Sequence, residues 1–174
     1  MGVMKRHPGY VTDILTDLAL DFFRNRRQPD RPFLLMLQHK APHRNWQPAL
    51  RHLHTYDDAE FPLPETLFDD YATRSRAARE QEMTIRTFID PASDLKMGPP
   101  LERLTPDEKA AWEAAYAPKR AAYEKAKPQG DDLVRWKFRR YMQDCLGRRQ
   151  AAYGDSEELA RAFLKKGLEE EQKK

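Results

Sequence analysis

Cysteine is nearly absent: Cys145 is the single one in 174 residues. No disulfide can close within the chain, and the redox compartment stays open on that count. Long apolar runs are missing too. None approaches the roughly 20 residues that a helix needs to span a bilayer, so nothing here reads as a membrane span. A block of one charge sign is also missing. The 31 Lys and Arg and the 28 Asp and Glu leave a net charge of +3, and they interleave along most of the length. That pattern describes a solvated surface and not a nucleic-acid groove, which needs like charge gathered on one face. The opening Met1-Gly2-Val3-Met4-Lys5 has no apolar core after its charges, so no signal peptide is visible in it. Were Met1 an authentic start, the product would be cytoplasmic.

What is present is polar for a globular domain. Hydrophobic residues make up 40%, charged residues 34%, and mean hydropathy is -0.91. The apolar residues must therefore be concentrated on a few faces. The length suits one domain and not two, and we read residues 1–174 as a single one.

The elements follow from periodicity and caps. Thr12 caps a first helix, over which Ile14, Leu18 and Phe22 recur at four-residue spacing beside Leu15, Ala19 and Phe23. The stripe runs from Asp13 to about Asn25, with cations in the last turn and Pro29 beyond. Pro32-Phe33-Leu34-Leu35-Met36-Leu37 is apolar throughout and short. It reads as a strand buried on both faces, as in a parallel sheet covered by helices. A helix followed closely by such a strand is half of an α/β repeat, but one strand makes no sheet, and no second one is visible. The fold class expected is helix-rich α/β, a partial doubly wound domain with one clear buried strand.

Residues 41–64, rich in Pro, His and Asp, read as an irregular excursion. Ser75 caps a helix through about Phe88, and Asp90 to Pro100 is a loop. Thr105-Pro106-Asp107-Glu108 is a capping box with proline at the first helical position. Pro118 is expected to break or kink that helix. Another runs from Asp131 or Asp132 to about Leu146, with Val134, Phe138, Tyr141 and Cys145 on one stripe. A last helix is expected from Asp155 to Gly167, ahead of a charged tail.

Chemistry has one serious candidate. In doubly wound α/β proteins, functional groups gather beyond the carboxyl ends of the strands, where His39, Lys40 and His43 follow Leu37. Pro42 holds the backbone extended before His43. A lysine and an imidazole in one turn suit an anionic substrate, with histidine able to donate a proton near neutral pH. From spacing alone, such a turn is more often a polar strand end than a site. Zinc has less to stand on. Pro42 prevents the helix that would align His39 with His43, and His52 and His54, with Asp57 and Asp58 nearby, lack a convincing third ligand. Trp112, Tyr116, Tyr123, Trp136 and Tyr141 fit packing at helical spacing better than stacking platforms. The basic run of Arg135, Lys137, Arg139, Arg140, Arg148 and Arg149 spreads around a helix.

Gly9-Tyr10-Val11-Thr12-Asp13, then Pro32 through Leu37 and Gln38-His39-Lys40-Ala41-Pro42-His43-Arg44-Asn45-Trp46-Gln47-Pro48, resemble the middle of formylglycine-dependent (type I) sulfatases of the alkaline-phosphatase-like superfamily. There a Tyr-x-Thr-Asp helix leads into an apolar strand. The strand ends in an Ala-Pro-His or Asp-Pro-His turn, often followed by Arg-Pro-Trp-x-Pro. The resemblance is strongest over 9–48. It is looser through a helical excursion over 49–150, where Leu67-Phe68-Asp69-Asp70-Tyr71 and Asp131 to Lys137 carry it, and it is lost in a divergent helical tail over 151–174.

The resemblance implies hydrolysis of sulfate esters or sulfamates, often on glycans, with a sulfated small molecule or glycan as partner and neither nucleic acid nor membrane. An oxidised cysteine, formylglycine, attacks sulfur while calcium holds the sulfate. His43 matches a sulfate-contacting histidine and general acid. Lys40, at a position the family varies, is a substrate contact. The family's Cys-x-Pro-Ser-Arg segment and both of its acidic metal pairs have no counterpart here. Cys145-Leu146-Gly147-Arg148-Arg149 has an arginine at the right offset but neither proline nor serine, and it lies on the wrong side of His43. No metal ligand is assigned. The chain is therefore expected to be catalytically incomplete by itself, and periplasmic or secreted if it derives from a full-length bacterial-type sulfatase. The alternative is a helical interaction module without enzymatic activity, self-associating through exposed apolar faces.

Overall fold

Helix-forming segments dominate the computed structural model, which describes residues 4–41 and 43–146. The chain divides into two compact units, residues 1–43 and 44–174.

In the first unit, α1 (Val11–Asp21) continues through a π-helical turn, Phe22–Arg26. The expected stripe is there, but the cap is not Thr12. Tyr10 is the extended N-cap residue, and Ile14 N–H donates to its carbonyl at 3.0 Å. Thr12 lies buried inside the first turn. Asp13 keeps its favourable place by the helix N-terminus. Arg27 ends the run in extended conformation, its N–H reaching back to Phe22 O at 2.9 Å. The rings of Phe22, Phe23 and Phe33 pack edge-on at 5.6–5.7 Å, and the Arg27 guanidinium sits 5.4 Å from the Phe33 ring centre.

The run after Phe33 corrects the expectation of a buried strand. No strand occurs among the described residues. Phe33 and Leu35 are more than a third exposed, Met36 is 69% exposed and Leu34 86%. The sequence pattern is that of an inner strand, but an inner strand exists only when neighbours take its backbone hydrogen bonds. Without such neighbours among the described residues, the run stays irregular and its side chains meet solvent.

The second unit is helical. Ser75 does cap α2 (Arg76–Glu80), accepting from Ala78 N–H, but the helix stops eight residues short of Phe88 because Gln81 turns extended. A separate turn closes with Phe88 N–H on Thr84 O at 2.8 Å. Thr105 and Glu108 form the expected capping box at the start of α3 (Pro106–Ala126). Pro118 does not break it; the helix continues to Ala126 and ends at Lys127, left-handed at φ 41°. One missing N–H inside 21 residues costs less than the packing of this helix returns. Trp112, Ala115 and Tyr116 on its inner face pack with Leu53, and Met97, Leu104 and Ala111 lie against them. α4 (Gly130–Tyr141) buries Val134 and Phe138 on the expected stripe and runs into a π-helical turn, Met142–Leu146. The helix expected from Asp155 and the tail over 151–174 fall outside the described residues.

The Asp90–Pro100 stretch is the expected loop, without helix or strand, and part of it is buried. Asp94 and Leu95 are fully buried and Lys96 nearly so. Tight turns hold them, with Asp94 N–H on Asp90 O at 3.0 Å and Met97 N–H on Pro91 O at 2.9 Å.

Candidate functional site

The His-Lys-x-x-His segment forms a turn. His43 N–H donates to Lys40 O at 2.8 Å, an i to i+3 closure that brings both residues to one end of the unit. Both are exposed, as a general acid and an anion contact must be to meet a ligand. His39, two residues after Leu37, is half-buried, and its Nδ1 has no hydrogen-bond partner. The turn can offer a proton donor and a point charge to an anion. By itself it contains no nucleophile.

The remaining sequence candidates resolve into structural roles. His54 Nδ1 lies 2.8 Å from Asp57 Oδ2, and Lys119 Nζ lies 2.5 Å from Asp57 Oδ1. Burial pushes the Asp57 carboxyl up, but the hydrogen bonds from Lys119 and His54 outweigh it and hold the group below the usual carboxylate range. His52 belongs to a short 3-10 turn, Leu50–His52, and not to a strand beside His54. Among the described residues no group of three or more His, Cys, Asp or Glu could hold a metal ion. The sequence around Cys145 equally lacks the proline and serine expected around a formylglycine, so no step is assigned to either group.

The aromatics pack. Trp112 and Tyr116 are buried with ring centres 4.7 Å apart, Tyr123 and Trp136 meet at 4.3 Å, and Trp46 meets Tyr141 edge-on at 5.1 Å. Of the basic run, Arg148 and Arg149 fall outside the described residues, and three of the other four are committed. Arg140 is buried and pairs with Asp144 at 3.0 Å, Lys137 donates to Arg86 O at 3.0 Å, and Arg135 pairs with Asp132 at 2.9 Å. Burial pushes the Lys137 amine below its ordinary value, partly countered by Asp90 and Asp94.

One constellation escaped the sequence reading. Arg44, directly after His43, forms a two-pronged pair with the fully buried Asp94: Nε to Oδ1 at 2.6 Å and Nη2 to Oδ2 at 2.5 Å. Its Nη2 also donates to Phe88 O at 3.1 Å, and the guanidinium lies 4.1 Å from the Phe88 ring centre. Asp94 Oδ2 further accepts Asp90 N–H at 2.9 Å. The carboxylate hydrogen bond raises the already high Arg44 value, and hydrogen bonds from Ser93 hold Asp90 low. This fork fixes the residue that follows the candidate histidine. The available signal was Arg44 within the Arg-x-Trp-x-Pro stretch; nothing marked Asp94, 50 positions away.

Comparison with known proteins gives a consistent result. No established family profile matches the chain. A curated N-acetylglucosamine-6-O-sulfatase from Bacteroides thetaiotaomicron is 41% identical over 152 residues, covering 79% of this chain and 27% of the relative. The solved structure of BT4656 in complex with its substrate, D-glucosamine-2-N,6-O-disulfate, superposes with a TM-score of 0.82 at 37% identity, over 92% of this chain and 35% of that one. The chain thus spans about a third or less of the length of the proteins it matches. In both sequence and fold, it corresponds to a segment of a sulfatase.

Proposed function

We propose that this chain is the part of a sulfate-ester hydrolase that presents a histidine and a lysine to a sulfated glucosamine. The observation that carries the reading is the 41% identity to an N-acetylglucosamine-6-O-sulfatase across most of the chain. Within the matched fold, the Lys40–His43 turn is an exposed place where the chain offers a proton donor and a cation together. His43 would contact the sulfate and protonate the departing sugar oxygen. That step matters for a 6-O-sulfate, because a sugar alkoxide leaves poorly unless it is protonated. Lys40 would balance charge on the sulfate as a point charge. Formylglycine supplies the nucleophile in this family and calcium holds the sulfate; neither role falls to residues described here. By itself the chain is expected to show no turnover of an aryl sulfate, with or without calcium.

The test is a chimera. Residues 9–150 of this chain replace the matching segment of the Bacteroides N-acetylglucosamine-6-O-sulfatase, and desulfation of N-acetylglucosamine-6-sulfate is measured. The reading expects retained activity in a chimera that melts cooperatively. A folded chimera without activity would contradict it.

A second reading has one observation in its favour, the exposure of Leu34 and Met36. Under it the apolar run is an interaction surface through which the chain self-associates. A concentration-independent monomer in sedimentation would remove that reading.

A further inference from the structure

The second unit contains a cleft that nothing above uses. It has a volume of about 710 Å³ and runs between the Pro64–Tyr71 segment, the stretch from Arg79 to Thr87, and α4. That volume suits a small ligand. Its floor is apolar, from the buried Val134 and Phe138, and its wall carries the 70% exposed Met83.

Two carboxylates, Asp69 and Asp131, and two guanidiniums, Arg79 and Arg86, line this cleft. Asp131 is taken by Arg86 at 2.6 Å. Asp69 accepts Tyr71 N–H at 2.9 Å and lies 3.7 Å from Arg74. Arg79 N–H donates to Ser75 O at 3.2 Å, but its guanidinium lines the cleft with no hydrogen-bond or ion-pair partner among the described residues, and the Gln81 side chain beside it has none either. The cleft therefore presents one uncommitted guanidinium beside carboxylates that already have partners, a local donor for an anion. Its fork of donors matches a tetrahedral oxyanion better than a lysine would.

Tyr71 adds a second observation. It lines the same cleft, 37% exposed, with its backbone at φ 57°. A tyrosine in the left-handed region is strained, and such strain persists only where the surroundings enforce it. Here Asp69 Oδ1 accepts Tyr71 N–H, Asp70 Oδ1 accepts Ala72 N–H at 2.8 Å, and Arg74 N–H closes on Tyr71 O at 2.9 Å. The turn holds an aromatic ring at the edge of a cleft that also has a free cation and a free amide.

The geometry points to a saccharide-binding site in this cleft, separate from the Lys40–His43 turn, that takes a sulfated sugar unit. Arg79 pairs with the sulfate, Tyr71 and Met83 cover the apolar face of the ring, and Gln81 meets a hydroxyl. This rests on the reading that the substrate is a sulfated glycan, and it adds that the chain holds a sugar at a second place.

The experiment is an amide and arginine side-chain NMR titration of the full chain with D-glucosamine-2-N,6-O-disulfate, with unsulfated glucosamine and inorganic sulfate as controls. The expected result is movement of the Arg79 Nε–H and Tyr71 signals with the sulfated sugar, at an affinity about tenfold above either control. Arg79→Ala weakens binding by about tenfold, and Arg79→Lys restores part of it. Arg79 is exposed, and an unchanged melting curve for each variant establishes that the cleft is intact. Binding here is expected to be indifferent to His43→Ala, so failure of the catalytic reading leaves this result standing. An unmoved cleft, equal affinity for inorganic sulfate, or full binding by the intact Arg79→Ala protein would each overturn the site.

Discussion

The two units differ in what they bury. In residues 44–146, Leu53, Trp112, Ala115 and Tyr116 form a core, and even a turn between helices hides Asp94 and Leu95 completely. Among the described residues of the first unit, Thr12 and Ala19 are the buried ones, while Leu34 and Met36 lie open to solvent. The candidate chemistry, Lys40 and His43, sits at the end of the unit whose packing is least complete. Stability and the proposed chemistry therefore fall on different stretches of the chain, and substitutions should separate them.

The largest effect is expected at Trp112. It is 3% exposed at the centre of the core, so Trp112→Ala should cost about 3–5 kcal/mol, read as a lower denaturant midpoint. A loss below about 1 kcal/mol would mean that the second unit has no core worth the name. Asp94→Ala should follow. It leaves Arg44 without its fork and Asp90 N–H without its acceptor. Breaking such a pair costs about 3 kcal/mol when the partner stays buried. Arg44 retains 30% exposure, so the expected loss is nearer about 2 kcal/mol.

How much of this was legible follows from where the signals lie. The Thr105 box, the Pro106 start and the α4 stripe are local, so a few neighbouring residues specify them. The burial of Asp94 is not local. Its carboxylate is taken by Arg44 from 50 positions away, and Pro91, Gly98, Pro99 and Pro100 read as an ordinary loop when taken alone. The apolar run at Phe33 was legible as a pattern and misleading as a state, because a strand's burial depends on neighbours that lie far away in sequence or outside it. Lys40 and His43 were singled out by their spacing beyond that run and by the family resemblance. Arg79 gave no signal, since a single arginine on a polar stretch looks like every other one.

A smaller effect concerns acid. Asp57 and Asp90 are held below the ordinary carboxylate range, so the unfolded chain takes up their protons first. Their contribution is present above the unfolded value of about 3.9 and is lost as pH falls through the lower folded values. Asp57→Asn should remove about 1 kcal/mol or less at neutral pH, since the pair is partly solvated, and flatten the acid-side decline. An unchanged slope from pH 5 to 2 in urea melts would rule out Asp57 as a contributor. The smallest effect belongs to the first unit. Leu34→Glu should shift stability by no more than about 0.5 kcal/mol, while lowering any concentration-dependent association seen in sedimentation. A loss as large as that of Trp112→Ala would erase the distinction between the units.

The central claim is that His43 protonates a leaving sugar oxygen. The measurement is kcat/KM of the active chimera with and without His43→Ala, on N-acetylglucosamine-6-sulfate and on 4-nitrophenyl sulfate, whose phenolate leaves without a proton. The account predicts a loss of about 100-fold or more on the sugar and a much smaller loss on the aryl ester. Equal losses on both would contradict it, leaving His43 as a sulfate contact and not a proton donor.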